Sequence, residues 1–229
     1  TLPTGHGIHR FNWDLRRDPI RHIDGFFVLG DYAGGLVAPG YYTLRLRVGD
    51  EVYTERAQLL ADPRLQVPQG SYAEQQMILD TIAQTVADIH SSVEMMQELR
   101  DQMQALRRRL GSKTVHAPLL AQADSIVAKI DRWTGELVQP AQQTSQDVIN
   151  FPNRLNAELM NLHSRCDGID PRVTQGTRER LQDLLAAWAQ LRSIRDEIIQ
   201  TEMAAFNALY AELKLPALFL PDQEVLDAW

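Results

Sequence analysis

The stretch SYAEQQMILDTIAQTVADIHSSVEMMQELRDQMQALRRRL, residues 71–110, decides how the rest of the chain is read. Apolar residues recur in steps of three and four at Ile82, Val86, Ile89, Val93, Met96, Leu99, Met103, Leu106 and Leu110. That spacing keeps them on one stripe of an α-helix, the seam of a helix packed in a bundle or coiled coil. Ser71 and Glu74 are spaced as an S-x-x-E capping box at the entry. Arg107, Arg108 and Arg109 crowd the last turn, where cations suit the helix dipole, and Gly111 follows as a stop. At ~1.5 Å per residue the helix is ~60 Å long, so other elements must lie along it.

Working outward toward the C-terminus, a second helix carries Leu119, Ala123, Ile126, Ile130, Trp133 and Leu137 and is ended by Pro140. Residues 141–150 are a polar linker. A short third helix is predicted from near Pro152, a residue that suits a first turn. It carries Leu155, Leu159, Leu162 and Cys166, and Gly168 closes it. Asp170-Pro171 is another break. A fourth helix, Thr174 to Leu213, presents Leu181, Leu184, Trp188, Leu191, Ile194, Ile198, Ala205, Leu209 and Leu213. Short connections favour antiparallel neighbours. The expectation is an antiparallel four-helix bundle whose long first and last helices pack along much of their length. The apolar tail Leu215 to Pro221 is expected to fold back on the bundle or the sheet.

Working outward toward the N-terminus, the period changes from 3.6 to 2. In residues 8–15, Phe11, Trp13 and Leu15 share one face and Arg10, Asn12 and Asp14 the other. Residues 16–40 read as a loop-like insert with Pro19 and several glycines. Tyr42, Leu44, Leu46 and Val48 then alternate with Thr43, Arg45 and Arg47. Gly49-Asp50 is a two-residue hairpin signal, with Glu51 to Leu60 returning as the partner. Three strands fall short of the roughly seven of a free-standing sandwich. The fold class is therefore α+β, mainly α. Residues 1–66 form a truncated immunoglobulin-like antiparallel β segment, and residues 67–229 a coiled-coil-like helical bundle. Pro63, Pro68 and Gly70 mark the boundary.

Composition narrows the function. The 229 residues carry a net charge of -7, which opposes nucleic acid or an anionic membrane as the main partner. No apolar run approaches the ~18 residues of a membrane span. One cysteine, Cys166, excludes a disulfide within the chain. The start at Thr1, without a signal peptide, is expected of a processed product or a piece of a longer chain.

Several motifs in order resemble a known family. The segment GIHRFNWDLR, residues 7–16, is similar to the "G-x-x-R-F-x-W-D-L-R" element near the C-terminus of bacterial sortilin-like, BNR-repeat β-propeller proteins of the exported "glycosyl hydrolase-like" kind. Residues 39–46, PGYYTLRL, resemble the family's "P-G-x-Y-T-x-R-L" strand. Asp62-Pro63-Arg64 resembles the "D-P-R" that closes its β domain, and residues 147–152, DVINFP, resemble its "D-x-L-N-x-P" element. In that family a propeller precedes an immunoglobulin-like domain and a helical region. The resemblance implies an exported location, in the periplasm, at the cell surface or outside the cell. It also implies an upstream propeller as the principal partner, with a further protein or a glycan beyond it. The propeller and its Asp-box repeats are absent here, so no active-site residue carries over. The resemblance implies a non-catalytic structural and interaction module; the alternative is an accessory part of a hydrolase whose acids lie in the propeller.

Each candidate site in the sequence has a plainer role beside it. His6, His9 and His22 form an H-x-x-H with a third histidine nearby, a zinc-like set. On a strand, however, residues i and i+3 face opposite ways. Trp13-Asp14 suits a sugar platform, but Trp13 lies on the apolar face and Asp14 is placed to cap a turn. Arg107, Arg108, Arg109 and Lys113 suit phosphate, but a helix C-terminus explains them. Cys166 falls on a seam and reads as an inert buried thiol. Trp133 and Trp188 read as core. His90, His116 and His163 read as surface or helix-end residues. No catalytic, cofactor-binding or metal-ligating residue is assigned, and no cofactor is expected.

Overall fold

The structure is a computed structural model that describes residues 5–111 and 114–216. Lys113 and the greater part of the apolar tail, residues 217–221, lie outside the described residues. The described part is mainly helical with one small antiparallel sheet.

β1 (Gly40–Val48) and β2 (Glu51–Leu59) form a two-stranded hairpin around Gly49-Asp50. Gly49 takes φ 60, the left-handed conformation the tight turn demands. The register sets Tyr42 opposite Ala57, Leu44 opposite Glu55 and Leu46 opposite Tyr53 on one face. Thr43 opposite Arg56 and Arg45 opposite Thr54 take the other.

The strand expected at residues 8–15 does not form. Asp14 Oδ1 accepts the backbone N–H of Arg16 at 3.0 Å, an Asx-type turn, and Leu15 sits at φ 62. Backbone pairing with the rest of the chain survives only as an isolated bridge from Arg16 to Leu36. Phe11 is exposed, whereas Trp13 is half-buried, edge-on to Tyr42 at 5.5 Å and donating to the Arg16 carbonyl at 2.9 Å.

α1 (Ser71–Leu110) is one unbroken helix of 40 residues. Its seam is buried at Ile82, Val86, Ile89, Val93 and Met96, while Leu99 and Leu106 are half-covered. The expected capping box is not used. Gly70 is the N-cap, in the left-handed conformation, and the Glu74 carboxylate instead receives Arg178 at 2.6 and 2.9 Å. α2 (Ala117–Leu137) buries all six predicted seam residues. α3 (Leu155–Cys166) starts three residues after Pro152 and ends before Asp167. It is buried on several sides: Asn156, Ala157, Met160 and His163 are enclosed as well as its leucines.

The last helix runs on from α4 (Gln175–Glu197) through a π-helical turn (Ile198–Glu202) into α5 (Met203–Glu212). Thr174 caps it through the N–H of Thr177. The π turn moves the buried stripe one residue from the position the spacing predicts. Two α-turns beyond Ile198 point to Ala205, but a π turn takes up one additional residue, and Phe206 is buried while Ala205 is exposed. Ile194, expected in the seam, is 46% exposed.

Pairing of the helices also differs from the expectation. α1 packs chiefly on α2 and α3, and α4 chiefly on α3. α1 and α4 meet through side chains, Glu74 with Arg178, Asp88 with Trp188 and Ser92 with Arg195, and because the numbers rise together the two helices run parallel, not antiparallel as expected. The short α3 is wedged between the two long elements and takes the place a fourth long partner would occupy.

Residues 16–37, expected as a loop-like insert, form a strap clamped onto the helices. Its two legs are tied by Arg17 N–H to Gly35 O at 3.0 Å and Ile20 N–H to Tyr32 O at 2.7 Å. Ile20, Val28 and Tyr32 enter the same buried cluster as the helix seams.

Candidate functional site

The strap and the hairpin are the two places where the chain does something a plain helical core does not require. Gly34 and Gly35 let the strap close. A Cβ on Gly34 would lie 2.3 Å from the Asp18 carbonyl oxygen and 2.4 Å from that of Arg17; one on Gly35 would lie 2.9 Å from Leu79 Cδ1. Three arginines then fasten the outside. Arg16 donates to Asp167 Oδ2 at 2.5 Å and to Gly34 O at 2.9 Å, Arg17 pairs with Asp80, and Arg21 reaches Glu94 at 2.8 Å. Asp167 Oδ1 also accepts the Leu36 N–H at 2.8 Å, so one carboxylate just past α3 holds both legs.

Beneath the strap lies a polar and aromatic cluster that the seam spacing does not predict. His90 and His163, expected on the surface or at helix ends, are 0% and 3% exposed. Both flank the seam residues of their helices, His90 beside Val86 and Val93 and His163 beside Leu159 and Cys166, and the strap lies over them. His90 Nδ1 accepts the N–H of Ile23 at 3.1 Å, which assigns the proton to Nε2, and that Nε2 has no hydrogen-bond partner. Burial first, then the positive charge of His22 and Arg21, pushes the His90 pKa down to about 4. His163 Nε2 is also buried without a partner, and burial lowers its pKa. Tyr32 lies between its neighbours: its ring stacks on His22 at 4.0 Å and stands edge-on to His90 at 5.4 Å. The Tyr32 hydroxyl donates to Phe26 O at 3.2 Å and accepts from Asn156 Nδ2 at 3.0 Å, while burial raises its pKa to about 12.

The remaining candidate residues do not converge. His6 is exposed, His9 is exposed and bonded to Gly5 O, and His22 belongs to the Tyr32 stack. Among the described residues no group of three or more His, Cys, Asp or Glu side chains is arranged to hold a metal ion. Arg107 pairs with Asp124 at 2.6 Å. The Cys166 thiol is buried and its pKa is raised, first by burial and then by Asp167. The indole N–H groups of Trp133 and Trp188 donate to Leu191 O at 2.7 Å and to Asp88 at 3.1 Å, as buried indoles need.

The hairpin offers an open hollow of about 770 Å³ walled by Phe11, Trp13, Tyr42, Leu44, Leu46 and Tyr53. Leu44, Leu46 and Tyr53 are 47%, 46% and 54% exposed, although they share the apolar face. Neither outer edge of the pair is bonded to another strand among the described residues. Charge is sorted between the faces: Glu51 and Glu55 lie on the apolar side, and Arg45, Arg47 and Arg56 on the other. No helix among the described residues is long and apolar enough to cross a membrane. Comparison with protein-family models, with curated proteins and with solved structures finds no match to this chain.

Proposed function

We propose that this chain is a non-catalytic structural and protein-interaction module of a larger exported β-propeller protein, the role implied by the sequence resemblance. In this reading the hairpin belongs to an immunoglobulin-like sheet whose other strands lie upstream in the parent polypeptide. The helices act as a four-helix bundle that anchors it. The observation that carries the reading is the uncovered apolar face of β1 and β2. A two-stranded sheet with exposed Leu44, Leu46 and Tyr53 is marginal in water and gains stability when a second layer covers it. Its free edges present backbone groups ready to pair with a neighbouring strand. The strap and the Arg16–Asp167 pair tie the base of that hairpin to the helices, which suits a part that holds one domain against another.

The test compares the chain with a version extended upstream in the parent gene, by hydrogen exchange at the amides of Gly40–Val48 and Glu51–Leu59. The extension should protect these amides by at least tenfold, and Leu46→Asp should cancel the gain. Equal exchange with and without the extension would defeat the reading.

A further inference from the structure

We propose that residues 17–33 are an acid-released strap, latched to the helices by the neutral imidazole of His90. This inference is independent of the proposed module role. The latch is geometric. The buried Nδ1 of His90 is the acceptor for the Ile23 N–H, so α1 and the strap meet there through one hydrogen bond that exists only while that nitrogen is unprotonated. The ring sits among Phe26 at 6.2 Å, Tyr32 at 5.4 Å and His22 at 6.3 Å, with no partner for its Nε2.

Protonation would turn Nδ1 from acceptor to donor, set two N–H groups against each other, and leave a charge with no partner in an enclosed site. The surroundings add to the penalty. From the strap come Arg21 and His22, both of which disfavour a charge on His90; the nearby Asp24 lies 3.8 Å from His22 and is fully exposed. On α1 itself, Glu94 is engaged by Arg21. α3 contributes only the neutral amide of Asn156, on the Tyr32 hydroxyl, and α4 brings Arg195, which donates to Ser92 two residues along α1. Among the described residues no carboxylate is placed to compensate an imidazolium at His90.

An unperturbed histidine titrates near 6.5. Because the folded value is lower, the His90 contribution is complete above pH 6.5 and is lost as pH falls toward 4. His163 lies under the other leg of the strap, near Gly35, with Arg16 and the acids Asp167 and Asp31 around it. Those acids favour its charged form, so His90 is the primary latch. Release would bare Leu79, Ala83 and Ala87 of α1, which together with Pro19 and Ile20 line a hollow of about 230 Å³ under the strap.

The experiment is a proton–nitrogen NMR titration of the whole chain from pH 7.5 to 4.0, with ring signals of His90 followed in parallel. The Ile23 amide and its neighbours in 17–33 should change together, at the pH where the His90 ring titrates, while Ile126 and Ile130 of α2 keep their native positions. In His90→Gln the midpoint should move by at least one pH unit toward acid or vanish. Simultaneous loss of the strap and α2 would overturn the proposal, as would a strap that stays docked at pH 4.0. An unchanged midpoint in His90→Gln would assign release to groups other than His90 and overturn it too. If His90→Gln does not fold, the wild-type ring titration decides: a His90 midpoint more than one unit from that of Ile23 overturns the latch.

Discussion

Arg16 and Asp167 stand 151 residues apart in the chain and meet at 2.5 Å, with the carboxylate almost wholly enclosed. The same carboxylate receives the Leu36 N–H. Asp167→Ala leaves a guanidinium and a backbone donor short of a partner and should cost about 2–3 kcal/mol. For a chain of this length that is a fall of roughly 5–10 °C in Tm. Asp167→Asn keeps one acceptor for Leu36 and should cost about half as much. Calorimetry giving equal Tm values for parent and Asp167→Ala would show that the pair does not hold the strap.

Gly34→Ala should loosen the strap without touching the helices. The added Cβ meets two backbone carbonyls below 2.5 Å, and backbone cannot step aside as a flexible side chain can. A cost of about 1–3 kcal/mol follows. Gly40→Ala is the control, since its Cβ meets nothing within 4 Å and its φ is ordinary. The control should stay within about 0.5 kcal/mol in urea melts.

Deleting Thr201 should be tolerated. The residue is exposed and lies in the π turn, so its removal converts a wide turn into an α-turn and keeps Phe206 on the buried stripe. Deleting Ala128, equally exposed but in the regular helix α2, rotates Ile130, Trp133 and Leu137 by about 100° away from the core and should unfold the chain. Circular dichroism melts of the two deletions should differ by tens of degrees.

Ile126→Ala and Leu99→Ala test the seam at two depths. Ile126 is fully enclosed, and its truncation should cost about 2–4 kcal/mol. Leu99 is only half-covered, and its truncation should cost about half of that. Equal values would mean that the far end of α1 is as deeply packed as its middle.

At high pH the strap should fail through Tyr32. Its hydroxyl ionises near pH 12, against about 10 for an unfolded tyrosine. The folded value is raised, so this contribution is complete below pH 10 and is lost as pH rises toward 12. Ultraviolet difference spectra should show a late ionisation that Tyr32→Phe removes. At neutral pH the same variant keeps the stack on His22 and should cost about 1 kcal/mol for the lost hydrogen bonds.

The sequence by itself determined the local elements. The three-four spacing from Ile82 to Leu110 and from Leu119 to Leu137 imposes helix, because only a 3.6-residue period gathers those side chains on one face. The alternation from Tyr42 to Val48 with Gly49-Asp50 imposes a hairpin for the corresponding reason. What tertiary structure alone decided is where polar and irregular segments go. His90 and His163 flank their helices' seams as polar residues, which reads locally as an exposed position, and the glycine-closed strap from far away in the chain lies over them. Phe206 displaces Ala205 because the last helix widens by one residue to stay in contact with its neighbours. Residues 8–15 alternate like a strand, but a strand needs a partner for its backbone groups, and the Asp14 turn directs Arg16 toward Asp167 instead. Period is a property of neighbouring residues and is written locally; the cover over a polar face, and the partner for an edge, come from residues scores or more positions away.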